Sequence, residues 1–331
     1  MIPTVPAEWS RHHAMWVGFP SHQNLWEDNL AEAQAEVAAL VRTLAGPGHE
    51  HVKLMVAGPS AVRAAEALLA EVAGVEIVKG VFGDVWLRDT GPIFTAAGQA
   101  AAFRFNGWGG KYDLPGDDAV AGQIAAHAGA SLTNCDFILE GGALDHDGQG
   151  TALTTRQCLL NPNRNRGWRE GDAERALTDA LGVRKVLWLE QGLMNDHTDG
   201  HVDNLARFVA PGVVACPVAF GPEDPNAPVY DAVARALAGF TDAAGAPLKV
   251  VRIPSPGRLV GEDHRVIPAS HMNFLVANGA VVVPVYGDPA GAWAVEALAT
   301  LFPGREVIGL PSRALITGGG SFHCISQQQT A

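Results

Sequence analysis

Apolar residues recur at helical spacing through residues 26–45, 60–72, 118–128, 169–181, 227–241 and 289–302, in alanine- and leucine-rich stretches, several of which open near Ser, Asp or Pro. Between them lie short β-branched or aromatic runs at 15–19, 51–57, 75–78, 101–105, 213–216, 248–253 and 280–285, which read as strands. Strands and helices alternate, so the fold class is α/β. A simple βαβ series does not fit. Residues 272–277 and 280–285 are joined by Asn278-Gly279, a hairpin signal. Two or three strands per helix suggest a repeated unit of about sixty residues with antiparallel pairs. No Ser/Pro-rich linker divides the chain, and one domain over 1–331 is expected.

Four segments interrupt this pattern with polar residues and glycine: DVWLRDTGP (84–92), LEGGALDHDGQG around Glu140, DHTDGHVDN (196–204) and GGGSFHCISQQQTA (318–331). In the third, the mix of Thr, Gly and Val favours an extended strand over a helix. Alternation along that strand would turn His197, Asp199, His201 and Asp203 to one face. The two histidines would then stand roughly 13 Å apart, too far to share one zinc ion without a bend. In the fourth, an extended backbone would turn His323 away from the side on which Cys324 projects.

Composition narrows the field. Charged residues make up 18% of the 331-residue chain and hydrophobic ones 47%, which argues for a folded core and against disorder. The net charge of −12 disfavours nucleic acid and anionic membranes and mildly favours a cationic small molecule. No stretch of eighteen apolar residues predicts a membrane span, and the opening MIPTVPAEWSRHH lacks the charged and apolar regions of a signal peptide. Cys135, Cys158, Cys216 and Cys324 are widely spaced and form no C-x-x-C, as expected of a cytoplasmic protein with reduced thiols.

Taken singly, each polar segment has an ordinary explanation: Asp89 as a turn or cap residue, Trp86 as core, Arg88 as a partner for a nearby Asp, Glu140 as a turn carboxylate. Together, a thiol, a histidine and several carboxylates suit a planar cation. A guanidinium presents forked N–H donors that match carboxylates, an indole face can cover it, a thiolate can attack its central carbon, and a histidine can carry protons.

The ordered segments PAEWSRHHAMWVGFP (6–20), WLRDTGPIF, FRFNGWGGKYDLPGDD, LEGGALDHDGQGTALTTRQCLLNPNRN, TDGHVDNLARFV and GGGSFHCISQQQ resemble the agmatine deiminases, within the peptidylarginine-deiminase-like guanidine-modifying enzymes. The resemblance runs over nearly the whole chain. It implies a five-bladed, pseudo-symmetric α/β propeller of ββαβ-type units around a central channel. It places the family's catalytic residues on Asp89, Glu140, His201, Asp203 and Cys324. Asp89, Asp203, Glu140 and Trp86 are then expected to bind the guanidinium. The acid/base role falls to His201 rather than His323. No metal and no cofactor are expected, and a homodimer is implied by analogy alone. The expected reaction is hydrolysis of agmatine to N-carbamoylputrescine and ammonia through a thiouronium on Cys324. Other guanidines (arginine, peptidylarginine, dimethylarginine), amidino transfer to an amine, and a non-catalytic cation-binding propeller are the alternatives. One departure is the short KYDLPGDD after Trp108, where these enzymes often carry a longer insertion.

Overall fold

A computed structural model describes residues 5–95, 98–261 and 263–331. Its strands form five small sheets. The first holds β1 (His12–Gly18), β2 (Val52–Val56) and β3 (Val75–Lys79). The second holds β4 (Ile93–Thr95), β5 (Gln99–Arg104) and β6 (Ser131–Ile138), and the third β7 (Asp145–His146), β8 (Thr151–Thr155) and β9 (Lys185–Leu189). The fourth holds β10 (Arg207–Ala210), β11 (Val213–Val218) and β12 (Lys249–Pro254), and the fifth β13 (Leu275–Val276), β14 (Ala280–Val285) and β15 (Glu306–Pro311). The last strand, β16 (Ser326–Thr330), returns to pair antiparallel with β1, so the two ends of the chain close one sheet.

The same unit recurs in each sheet. An edge strand pairs antiparallel with the next, and a helix then crosses over to a parallel third strand. Parallel neighbours need such a crossover because a tight turn can only reverse direction. The edge strands of different sheets touch, β16 against β4 and β7 against β10, which places them around the central axis. The fold is a five-bladed α/β propeller. Apolar clusters cross blade boundaries: Leu153, Leu187 and Leu189 pack with Phe208 and Val214 of the next blade.

The crossover helices follow their sequence signals closely. In the helix Glu170–Leu181 the buried residues Ala173, Leu177 and Leu181 recur at a spacing of four and form one stripe. Asp172 accepts the Arg169 backbone N–H at its start (2.9 Å), and Gly182 ends it in the left-handed region. The first helix is shorter than its apolar pattern, running Leu30–Ala45, because Glu27 takes a positive φ and breaks the preceding turn. No helix of the described residues is long and apolar enough to cross a membrane.

Two expectations are overturned. Residues 196–204 are not a strand. Asn195, Asp199 and Gly200 all adopt positive φ, and the segment coils through turns into the 3-10 helix Val202–Asn204. The chain around Cys324 is not extended either: it turns tightly, with the Ile325 N–H donating to the Ser321 carbonyl (3.2 Å), before β16 begins.

Candidate functional site

The segments that lead into the five edge strands meet at the axis, and each brings one part of the site. Asp89 precedes β4, Glu140 precedes β7, His201 and Asp203 precede β10, Asn273 precedes β13, and Cys324 precedes β16. All are buried. Gly142 measures how closely they converge. A Cβ added there would lie 2.5 Å from His201 Nδ1, 2.9 Å from Asp89 Oδ1 and 3.2 Å from Asp203 Oδ2. Only glycine permits that approach.

Cys324 sits where three blades touch. Its Sγ is 3.5 Å from Asp203 Oδ2 and 3.1 Å from Asn273 Nδ2. Asn273 Oδ1 accepts the backbone N–H groups of His323 (3.1 Å) and Cys324 (3.3 Å). A backbone N–H requires an acceptor, so the amide is oriented with its NH₂ toward the sulfur. The Cys324 carbonyl in turn accepts the Arg88 N–H (3.0 Å), tying the Cys324 turn to the Asp89 segment. Burial, and after it the charges of Asp203 and Asp89, push the thiol well above its ordinary value.

Asp89 is fixed at both oxygens, by the Gly142 N–H (3.0 Å) and by Trp108 Nε1 (2.9 Å). Burial raises this carboxyl, with Asp203 and Glu140 adding to the effect against the opposing charge of His201. Glu140 accepts from Arg164 Nε (2.7 Å), and Arg164 Nη2 reaches the Thr198 carbonyl (2.9 Å), so one guanidinium binds the Glu140 segment to the turn that delivers His201. That turn is set by Asp196, which accepts the N–H groups of Thr198 (2.9 Å) and His201 (3.2 Å). His201 Nδ1 lies 3.7 Å from Asp89 Oδ1, and neither ring nitrogen has a hydrogen-bond partner among the described residues. Burial would lower this imidazole, but the Asp89 charge, followed by Cys158 and Glu140, outweighs it and holds the pKa well above the usual histidine value.

The glycines of GGGSFHC serve the same approach. A Cβ on Gly320 would come within 2.6 Å of the Trp86 ring and 3.1 Å of Cys324 Sγ, and Gly319 has φ +104°. Trp86 is held in place by Asp84, which accepts its Nε1 (2.8 Å) and that of Trp26 (3.1 Å).

The four residues expected on one strand face are dispersed by the turn. His197 is exposed and pairs with Tyr112, Asp199 joins Arg164 and Lys111 in ion pairs, and His201 and Asp203 are buried. His197 and His201 are therefore not a ligand pair. His323 does not face away. It is buried, with Nδ1 2.9 Å from Asp203 Oδ2. Arg88 pairs with neither Asp84 nor Asp89: Nη1 donates to Gln328 (2.7 Å) and Nε to the His323 carbonyl (3.3 Å).

The sequence reading missed Asn273, Trp108 and Arg164. Asn273 was hidden inside the run 272–277 that reads as a strand; in the structure β13 is only Leu275–Val276, and Asn273 lies in the loop ahead of it. One group of described residues offers donors for a metal. Atoms of Glu140, Cys158 and His201 lie within 4.8 Å of one another. Burial pushes the Cys158 thiol up, away from the thiolate form that a metal ion would need. Outside the site a cavity of about 990 Å³ opens, lined among others by Lys111 and Tyr112 of the short segment after Trp108, by Asp196 and His197, and by Gly319, next to the glycine that abuts the thiol.

Comparison with known proteins gives a consistent picture. A family model described as Porphyromonas-type peptidyl-arginine deiminase matches residues 4–330. An agmatine deiminase of Stutzerimonas stutzeri (strain A1501) is 36% identical over 359 aligned residues, covering 99% of this chain and 95% of that protein. The structure of the agmatine deiminase of Enterococcus faecalis superposes with a TM-score of 0.93 at 30% identity, covering 99% of this chain and 96% of that one. A cysteine-to-serine variant of the C. jejuni agmatine deiminase, solved with substrate bound, superposes with a TM-score of 0.90 at 29% identity, covering 100% and 97%.

Proposed function

The chain belongs to the Porphyromonas-type peptidyl-arginine deiminase family, and from that premise we propose that it is an agmatine deiminase, hydrolysing agmatine to N-carbamoylputrescine and ammonia. The observation that carries the chemistry is the thiol of Cys324, 3.5 Å from one carboxylate and 3.1 Å from an amide donor, in a buried group that also holds Asp89, Glu140 and His201. A site that only bound cations would have no use for the thiol.

In this reading Asp89 and Asp203 accept hydrogen bonds from the guanidinium, Glu140 orients it, and Trp86 covers its face. The bound cation supplies what the free thiol lacks. A unit charge about 4 Å away at an effective dielectric near 20 is worth roughly 4 kcal/mol, or about three pKa units. Substrate thus lowers the barrier to ionising its own nucleophile, and Asn273 Nδ2 donates to the thiolate that forms. The thiolate attacks the guanidinium carbon. His201 protonates the departing nitrogen, the C–N bond breaks, and ammonia leaves an S-alkylthiouronium. His201 then takes a proton from water, whose oxygen adds to the same carbon. Collapse releases the ureido product and the thiolate.

The net charge of −12 favours an amine at the substrate's far end over an α-carboxylate. The proposal extends to one catalytic domain over 1–331, supported by the cores shared across blades, and to a cytoplasmic homodimer, which rests on the family resemblance alone. The test is a side-by-side kcat/KM comparison of agmatine, arginine, dimethylarginine and a blocked arginine peptide by ammonia release. Agmatine is expected to lead. A preference of about tenfold, or 1.4 kcal/mol, for any other overturns the substrate and leaves the guanidine chemistry standing.

A further inference from the structure

His323 precedes the nucleophile in sequence and has no part in the reaction as written. Yet its ring joins two carboxylates that are far apart along the chain, Glu8 and Asp203. Nδ1 is 2.9 Å from Asp203 Oδ2, and Nε2 is 3.3 Å from Glu8 Oε2. Glu8 reaches this depth from the segment ahead of β1, where Arg207 Nη2 also donates to it and its Oε1 accepts the Val276 N–H (3.3 Å). The same Asp203 oxygen that meets the imidazole is the one beside Cys324 Sγ.

We propose that His323, held as an imidazolium between Glu8 and Asp203, is a positioning residue for Cys324: it fixes the one carboxylate that touches the thiol and offsets that carboxylate's charge. The inference rests on the reading of Cys324 as nucleophile. An ionised carboxylate has acceptors only, so a ring facing one at each nitrogen must present a hydrogen at each, and such a ring is positively charged. Both carboxyls are inclined to ionise. Burial pushes Glu8 up, but Arg207 and His323 outweigh it and hold it well below the carboxylate range. Burial likewise opposes Asp203, and the hydrogen bond to the His323 ring, with the nearby charges of His201 and Arg207, prevails. The other charged groups around the ring are Arg88, which donates to the His323 carbonyl, Arg207 behind Glu8 with Asp145 on its far side, and His146 near Glu8.

The consequence lies at the sulfur. A thiolate forming against Asp203 is repelled, and an imidazolium on the same carboxylate oxygen weakens that repulsion. The N-terminal segment therefore acts on the C-terminal nucleophile through one ring.

Glu8→Gln keeps the shape and an acceptor but removes the charge that holds the imidazolium. His323→Asn keeps a donor toward Asp203 and removes the imidazolium itself. The readout is the rate of Cys324 alkylation by iodoacetamide in the free enzyme, followed by mass spectrometry, with kcat and KM for agmatine measured beside it and circular dichroism confirming the fold. Only the thiolate reacts, so both variants are expected to alkylate at least about tenfold more slowly. Turnover should fall in kcat with KM little changed. A merely structural tie gives the opposite sign, because loosening the turn exposes the thiol and speeds its modification. An alkylation rate in folded Glu8→Gln that is unchanged or faster, or an unchanged kcat, overturns the proposal. Should His323→Asn fail to fold, Glu8→Gln decides. Alkylation reads the thiol without turnover, so this failure is separate from failure of the nucleophile assignment, which would appear as turnover surviving in Cys324→Ala.

Discussion

The thiol of Cys324 and the carboxyls around it set one another's charge. Because burial, Asp203 and Asp89 raise the thiol, it keeps its proton in the folded state at a pH where the unfolded chain has lost its own. The sign of the linkage follows: stability falls as pH rises through the ordinary thiol value of about 8.5. Thermal melts across that range should show a steeper fall in the wild type than in Cys324→Ala, and equal slopes would remove the thiol from this balance. Cys324→Ala should also abolish ammonia release while leaving the circular dichroism spectrum unchanged. Asp89→Asn keeps the shape but turns an acceptor partly into a donor facing the guanidinium. It also leaves Trp108 Nε1 or the Gly142 N–H without its proper partner. We expect a loss of about a hundredfold in kcat/KM, close to 3 kcal/mol, and near-wild-type kinetics would take Asp89 out of the site.

At the scale of elements, the site is a property of five equivalent positions. Each lies in the loop that enters an edge strand, at the inner end of a blade. Their spacing along the chain was visible as polar, glycine-bearing interruptions, and four of the five blades could be found that way. The fifth was hidden because Asn273 stands among Met272, Phe274 and Leu275 with no charge to mark it. The helices were legible because their apolar stripe repeats along one face. The outermost strands β6 and β15 were not, because an outer edge strand is only partly buried and does not need a continuous apolar run. Gly142 gives this scale its test. Its backbone conformation accepts alanine, but the added methyl would press on His201 and Asp89. Overpacking of this kind costs about 1–3 kcal/mol. Gly142→Ala should therefore stay folded with a modestly lowered Tm, and lose far more in kcat than that stability change explains. A wild-type kcat would show that the segments have room to part.

For the whole molecule, closure of the ring is the decisive event. β16 carries the sequence Ser-Gln-Gln-Gln-Thr, which resembles a frayed polar end, yet it is buried almost throughout. Its amides have specific work: Gln328 accepts from the buried Arg88, and Gln329 accepts from Trp16 Nε1 (3.3 Å). Deleting residues 326–331 would strip β1 of one of its two neighbours and leave Arg88 Nη1 buried without a partner. Such a truncation is expected to lose its cooperative thermal transition, and a sharp melt near the wild-type temperature would refute the closing role.

The sequence by itself determined what depends on neighbours along the chain: the α/β class, the helices, the 278–279 hairpin, and the chemical kinds gathered for a guanidinium. Tertiary structure alone decided what depends on contacts between distant segments. Asp196 and positive φ angles, rather than alternation, fold residues 196–204 so that His201 and Asp203 enter the site while His197 stays at the mouth. Glu8 and His323 are 315 positions apart, and no local pattern links them. They meet because the chain's two ends share one sheet, and the energy of a buried charge depends on what surrounds it in space, not on what adjoins it in sequence.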